Sequence, residues 1–406
     1  MLAYYASRDL IPLYGVYALL FADHGVSSGQ VSTLFLIWSM TSFVFEVPSG
    51  AWADSFDRRR LLVLSAVVYA AGFASWIVVP TYVGFALGFV LWGLSSALMS
   101  GTFEALVYDE LVTRGAQGAY PRLIGWAHAT AMTAVLLASV LATLLYAADG
   151  YPLVGWVSVA IAGIHGLLAA TLPVSERARR ARPDPADPAY PAHDTDQPTR
   201  HYLAMLASGL REATTSRDVR RVLLIAALLV GMTAYDEYFP LVAREHHVHT
   251  ATIPLLVAIT VVGQVVGTAL AGRTAGMSAA RLATVVATGA ALISVGALAG
   301  AAPYAGFVAI GIGYGLLNNA MLVAQVRVQE TITGPARATV TSVHGLATEV
   351  VALTVYGAFA AASAQVSVGV LMALLGLPML VVAGYVARRL PARRVVDNSP
   401  VETGRG

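Results

Sequence analysis

The sequence contains no cysteine and no lysine. Without thiols there is no disulfide framework and no thiolate metal site, and the redox compartment stays open. The basic side chains are all arginine, 25 against 23 acidic residues, for a net charge of +2. That balance offers no basic field, so nucleic acid is not an expected partner. The deeper shortage is of charge itself. Only 12% of the 406 residues are charged and 57% are apolar, where a soluble domain carries roughly a quarter charged. No small-residue cleavage site follows the first apolar run, which therefore reads as a retained helix. No ten-residue alternating pattern suggests a barrel. No phosphate loop is present, and no nucleophile, base and orienter fall at one depth, so an enzyme is not expected.

What the chain has in abundance is apolar runs of about 20 residues, each long enough to cross ~30 Å of hydrocarbon. Lipid offers no hydrogen bonds, so each run must satisfy its own backbone as a helix. Twelve such spans are legible, over 5–23, 29–53, 61–80, 82–112, 119–147, 151–173, 219–243, 251–272, 279–299, 303–331, 337–362 and 366–389. Charge placement tests that number. With a cytoplasmic N-terminus, the inner connectors hold Arg58, Arg59 and Arg60, then Arg114 and Arg122, then the long linker, Arg273 with Arg281, Arg337, and the tail. Arg244 alone falls on the outer side. This alternation is what the positive-inside rule expects.

One connector is long. Its first part, 176–200, is rich in Arg, Asp and Pro and reads as extended or disordered. Residues 202–211 put Leu203, Leu206 and Leu210 on one face, which suits either an interfacial amphipathic helix or a plain solvated linker. The linker divides six spans from six, and the halves echo each other. Gly50 to Asp54 closes the second span and Gly267 to Arg273 closes the eighth, while Tyr120-Pro121-Arg122 and Pro335-Ala336-Arg337 open the fifth and eleventh. Matching connectors are what parallel repeats in a transporter give.

The spans, the central linker and the stretch Gly50-Ala51-Trp52-Ala53-Asp54-Ser55-Phe56-Asp57-Arg58-Arg59 together resemble the major facilitator superfamily. The pattern of that family is Gly, three residues, Asp, a base, one residue, Gly, then two bases. Gly50, Asp54, Arg58 and Arg59 match it; Ser55 replaces the first base and Asp57 the second Gly. The resemblance implies a latch between the halves built on Gly50, Asp54, Arg58 and Arg59, with Asp54 meeting the start of the eleventh span. Asp57 is expected to keep the turn because Asp tolerates a left-handed backbone. Phe89 to Ser100 holds no Arg and Trp126 to Leu145 no Gly-Pro motif, which argues against a drug–proton antiporter of the usual kind. Phe45 to Gly50 and Gly101 to Asp109 look like a broad, mostly uncharacterised bacterial branch of the superfamily.

Charge inside hydrocarbon costs at least ~2.5 kcal/mol, so each buried acid needs a partner, a proton or water. Glu349, about twelve residues into the eleventh span, is the deepest acid and a candidate for a group that is protonated when dry and ionised when wet. Glu46 lies about 12 Å inside the cytoplasmic surface by its spacing from Asp54, with Glu104 at similar depth. The two either share a proton or clamp Arg122 or Arg8, as coupling site or as structural pair. Asp109 and Glu110 read as a solvated helix end. Asp236 and Glu237 sit between Gly231 and Pro240, punctuation that allows a break exposing backbone to a cavity; an interfacial acid pair is the alternative. Asn318 and Gln325 share a face of the tenth span and either border a central path or hydrogen-bond between helices. His128 and His165 read as satisfied core histidines. The loop His246-His247-Val248-His249 is too short of acids to predict a metal, and the glycines at 84, 88, 93, 311, 313 and 315 read as helix-packing positions.

The expected fold is therefore an all-α membrane protein, with twelve transmembrane helices in two six-helix pseudo-repeats and cytoplasmic termini. Residues 1–173 form the first bundle, 174–218 the linker, 219–390 the second bundle and 391–406 a tail. The expected activity is secondary transport of a small molecule across the cytoplasmic (inner) membrane by alternating access, coupled to protons and inclined to efflux. Substrate, protons and the bilayer are its expected partners; it is expected to be a monomer with no cofactor. The rival readings are a membrane enzyme or receptor on a similar fold and a facilitative uniporter.

Overall fold

The computed structural model describes residues 1–173, 217–331 and 337–390; the side chains of 47, 50, 51, 53–55 and 337–342 lie outside that description. Expectations for the linker, the face at 202–211, the tail, and the side chains of Gly50, Asp54 and Arg337 fall outside the described residues. All regular structure among the described residues is helical.

The first span is interrupted. Helix α1 (Leu2–Asp9) gives way to a 3-10 turn, Pro12–Gly15, before α2 (Tyr17–Asp23), because Pro12 has no N–H to give to a ladder. Helix α3 (Ser28–Ser55) opens with a capping box between Ser27 and Gln30. Helix α4 (Arg58–Val78) is capped by the Asp57 carboxylate, which accepts from the Arg60 N–H at 2.9 Å. Asp57 has φ −63°, so it is an N-cap in extended backbone and not the left-handed turn residue that the sequence suggests. Gly101, at φ 69°, separates α5 (Tyr82–Met99) from α6 (Thr102–Thr113). Helix α7 (Tyr120–Ala170) has 51 residues, about 76 Å if straight, more than twice the hydrocarbon thickness. It turns back at Asp149 and Gly150, where Gly150 takes φ 59°.

In the second part, α8 (Arg217–Gly231), a 3-10 segment (Met232–Tyr238) and α9 (Phe239–Glu245) make another interrupted span. Helices α10 (Ile253–Thr274), α11 (Ala279–Ala297), α12 (Pro303–Thr331), α13 (Arg337–Ala362), α14 (Val368–Leu374) and α15 (Gly376–Arg389) complete the chain. Among the described residues nine helical stretches are long and apolar enough to cross a membrane, α7 with its turn counting as one.

Helices α1–α7 pack mainly on one another, as do α8–α15. The two groups meet along α3 with α13 and along α7 with α10. Their cores differ in kind. Trp76, Phe89 and Trp92 interlock by ring contacts in the first group, with centroids 5.0–6.0 Å apart for Trp76–Phe89, Phe89–Trp92 and Trp76–Trp92. The second group uses close backbone approach. A Cβ on Gly263 would lie 1.9 Å from the Gly311 carbonyl oxygen, and one on Gly267 2.0 Å from that of Gly315. The packing role expected for Gly311 and Gly315 is thus filled by paired glycines one turn apart on both helices.

Gly263→Ala and Gly267→Ala should each lower stability by about 1–3 kcal/mol through overpacking. Gly357→Ala, whose Cβ meets nothing within 4 Å, should not. Melting temperatures of purified protein in one detergent check the contrast.

Candidate functional site

The two interrupted spans face each other at the centre of the bundle. The 3-10 segment Met232–Tyr238 carries Asp236 and Glu237; the turn Pro12–Gly15 and the start of α2 carry Tyr14 and Tyr17. Gly231 and Pro240 flank the first of these breaks, as the sequence suggests. Gly231 also lets α13 approach, since a Cβ there would lie 2.5 Å from the Thr348 carbonyl oxygen. A cavity of about 130 Å³ lies between the breaks, lined by Tyr14, Tyr17, Asp236, Glu237, Gln264 and Tyr314 among others.

Each carboxylate has a tyrosine donor. Tyr314 donates to Asp236 at 2.6 Å, and Tyr17 donates to Glu237 from the other helix group. Neither acid has an arginine or histidine within ion-pair distance among the described residues. Two adjacent carboxylates without a cation are costly to ionise together in a part-buried site, and a proton on either one removes that cost. The arrangement can therefore hold and release a proton, and it can hold a small polar ligand between aromatic walls.

Deeper in the first helix group lies a residue that sequence reading used only as a clamp partner. The Arg8 guanidinium donates to Ser96 Oγ at 3.0 Å and Ser95 Oγ at 3.4 Å, and lies 4.8 Å from the Tyr69 ring centroid. Tyr69 donates back to the Arg8 carbonyl at 3.0 Å and its hydroxyl meets that of Tyr14. Arg8 is thus joined to the cavity wall through two tyrosines, and Tyr14 stacks on Trp92 at 5.1 Å.

The other candidates are spread along the same axis. Ser39 on α3 donates to Glu349 on α13, a second mid-bundle bond across the helix groups. Glu46 is exposed and within electrostatic reach of Glu349. Glu104 is part-buried and within electrostatic reach of Tyr4, Tyr5 and Tyr120. No hydrogen bond joins Glu46 to Glu104 among the described residues, and Arg122 is exposed. Asn318 is buried and donates to the Tyr314 carbonyl of its own helix at 2.9 Å, while Gln325 is half-buried. Its neighbour Asn319 makes the bonds between helices, to the Gly267 carbonyl and Thr274 Oγ1, both at 2.9 Å. His165 is buried against Ser7 Oγ at 2.9 Å and the Tyr4 carbonyl at 3.1 Å, whereas His128 is exposed. No group of three potential metal ligands occurs among the described residues.

The two ends of the bundle differ. At the end holding Arg58, Arg59 and Arg60, the ion pair Arg58–Asp109 stays within the first helix group. Asp109 is therefore a paired side chain and not a free solvated helix end. Arg59 reaches the Ala170 carbonyl at 3.5 Å. At the opposite end the contacts cross between groups. Arg244 pairs with Asp23 at 2.6 Å and donates to the Leu19 carbonyl at 3.4 Å. Nearby, Tyr238 donates to Ser32 at 2.8 Å and stacks on Phe359 at 4.0 Å. Phe35 packs on Tyr238 and Tyr356.

Comparison with known proteins adds the following. A family model described as Major Facilitator Superfamily matches residues 1–355. No curated protein matches the chain by sequence. Among solved structures, an auto-inhibited POT family peptide transporter aligns with TM-score 0.68 at 17% identity, over 98% of this chain and 97% of its own. A bacterial homologue of the iron transporter ferroportin, inward-facing, aligns with TM-score 0.66 at 14% identity, over 96% and 97%. A bacterial homologue of the human lysosomal transporter Spinster, inward-facing and unoccupied, gives 0.66 at 14%, over 97% of both chains. At these identities the likeness is one of fold.

The Asp23–Arg244 pair is part-exposed, 34% and 40% on its side chains, so it should act as a light latch. Asp23→Asn should raise the labelling rate of a single cysteine at Gln264 by a maleimide added from the Asp23 side. The cysteine-free sequence makes that label unambiguous. An unchanged rate would mean that the pair does not help close this end.

Proposed function

Because the chain belongs to the major facilitator superfamily, a multi-pass membrane protein with a transporter fold, we propose that it is a secondary active transporter of a small molecule. Transport proceeds by alternating access and is coupled to protons, in the direction of efflux from the cytoplasm across the inner membrane. The carrying observation is the Asp236–Glu237 pair, which has no cationic partner among the described residues. It is hydrogen-bonded by Tyr17 from one helix group and Tyr314 from its own, around a cavity of about 130 Å³.

In this reading the chain crosses the membrane twelve times: α1–α2 once, α3 once, and α7 twice within the nine long stretches. Residues 1–173 and 219–390 rock as two bodies about the cavity, with the linker 174–218, the tail 391–406 and both termini on the cytoplasmic side. Contacts around Asp23–Arg244 close the outer side. Gly50, Asp54, Arg58 and Arg59 belong to the inner latch. Tyr17–Glu237 and Ser39–Glu349 join the bodies only while the outer side is shut. Gly- and Pro-interrupted segments at corresponding positions of two repeats are where such transporters place their sites, and the first and seventh spans fit that description. The protein acts as a monomer and a transporter, not an enzyme.

A thermal-shift screen on purified protein supplies a stabilising compound for the test. In proteoliposomes that compound should drive proton movement, and its affinity should rise with pH, as exchange for a proton requires. The expected change is about tenfold or more between the two protonation states. Glu237→Gln should flatten the pH dependence and uncouple the flux, and Glu349→Gln should do so less. If Asp236→Asn, Glu237→Gln and Glu349→Gln all keep both, these acids are not the coupling site; transport without proton movement in the parent protein would indicate uniport.

A further inference from the structure

We propose that the outer face of α10 and α12, together with Arg273 and Arg281, binds one anionic phospholipid of the phosphatidylglycerol type. The site begins with the paired glycines. Gly263 and Gly267 press against Gly311 and Gly315, so the helix axes approach and no side chain fills the seam between them. On the bilayer side this leaves a groove of about 410 Å³, walled by Val262, Val266, Leu270, Val308 and Ile312. These five side chains are all exposed.

The groove does not end blindly. It shares Thr274, Met277 and Val285 with an open pocket of about 720 Å³ that is lined by Arg273 and Arg281. On α10 the positions 262, 266, 270 and 273 fall on one face. The rise from Val262 to Arg273 is about 16 Å, close to half of the ~30 Å hydrocarbon layer. An acyl chain laid along the groove therefore brings its phosphate to the level of the two arginines. Both guanidinium groups are exposed, and neither has a carboxylate within ion-pair distance among the described residues. The pocket also lies against the first turns of α11, where the helix dipole favours an anion.

Two unpaired cations select for a net negative headgroup, and the apolar trough selects for a tethered chain; together they select an anionic lipid over a zwitterionic one. An arginine near the membrane surface contributes about fivefold in affinity for an anionic lipid. Native mass spectrometry of the full-length protein in detergent, with phosphatidylglycerol or phosphatidylcholine of matched chains, reads the selectivity directly. Phosphatidylglycerol should be retained preferentially. Arg273→Gln and Arg281→Gln should each weaken it about fivefold, and the double variant about thirtyfold. Val266→Trp, which fills the groove on an exposed position, should weaken phosphatidylglycerol binding with both arginines in place. Glycerophosphoglycerol, the same phosphodiester headgroup without acyl chains, should bind far more weakly. Equal retention of phosphatidylcholine, undiminished binding by either Val266→Trp or the arginine variants, or equal binding of glycerophosphoglycerol would each overturn the proposal. Melting temperatures without added lipid, matched to the parent, keep loss of folding apart from loss of the site.

Discussion

Charge that has to live without water is the constraint on which this structure turns. Asp236 and Glu237 are consecutive residues in the middle of a helical bundle, and what solvates them is tyrosine hydroxyl. Such a site needs its donors held at hydrogen-bond distance, because an unpaired carboxylate in a dry setting is far costlier than a paired one. One donor comes from the same helix group and the other from across the interface. The comfort of Glu237 therefore depends on both groups being together at that level. In the proposed cycle, separating them takes away Tyr17 and lets water in, and the free energies of the proton and of the interface become linked. No long-range pathway is required for that linkage, since a single hydrogen bond belongs to both.

The same logic orders the ends of the bundle. Arg244 is the one basic residue that the charge pattern leaves on the sparsely charged end, and it is the one held by Asp23 from the opposite helix group. At the other end arginine is plentiful and its pairing is local, as between Arg58 and Asp109. A part-exposed pair contributes roughly 0.2–1 kcal/mol, which suits a closure that opens in the proposed cycle. The heavier contribution at the Arg244 end comes from rings, with Phe35 packed across the interface on Tyr238 and Tyr356, and Tyr238 backed by Phe359.

Much of this was legible in the sequence, and the parts that were not share a cause. Apolar run length gives helices and most of the spans, and Gly231 with Pro240 marks the break that carries Asp236 and Glu237. Pro12 and Gly15 carry the same punctuation in the first span, yet the residues between them, Leu13 and Tyr14, are as apolar as their neighbours. A hydrophobicity count averages that turn away, whereas a search for matching interruptions in the two repeats would find it. Arg8 escaped because its partners, Ser95 and Ser96, are neutral and nearly ninety positions away, and charge pairing is blind to hydroxyls. The sequence points to the backbone of Asp57, whereas its side chain is the working part, as a cap on α4. Asp109 needed the tertiary structure to bring it to Arg58. For Arg8 and Asp109 the residue was visible, and the partner lay on another helix.

The two helix groups divide the chemistry between them. The first supplies hydroxyls and rings at its interrupted span, Tyr14 and Tyr17 backed by Tyr69, Trp92 and the Arg8 guanidinium. The second supplies the acids at the corresponding place, with Tyr314 beside them. Neither set is a site alone. Tyrosines without acids neither take up nor release a proton near neutral pH, and acids without donors on both sides are stable only when neutral or wet. Their packing follows the same division. Interlocked rings in the first group fix the wall that must present two hydroxyls, while glycine contacts in the second bring α10 against α12, the helix that carries Tyr314. A site assembled from complementary halves in this way exists only when the halves meet, so changing their contact necessarily changes what the site can hold.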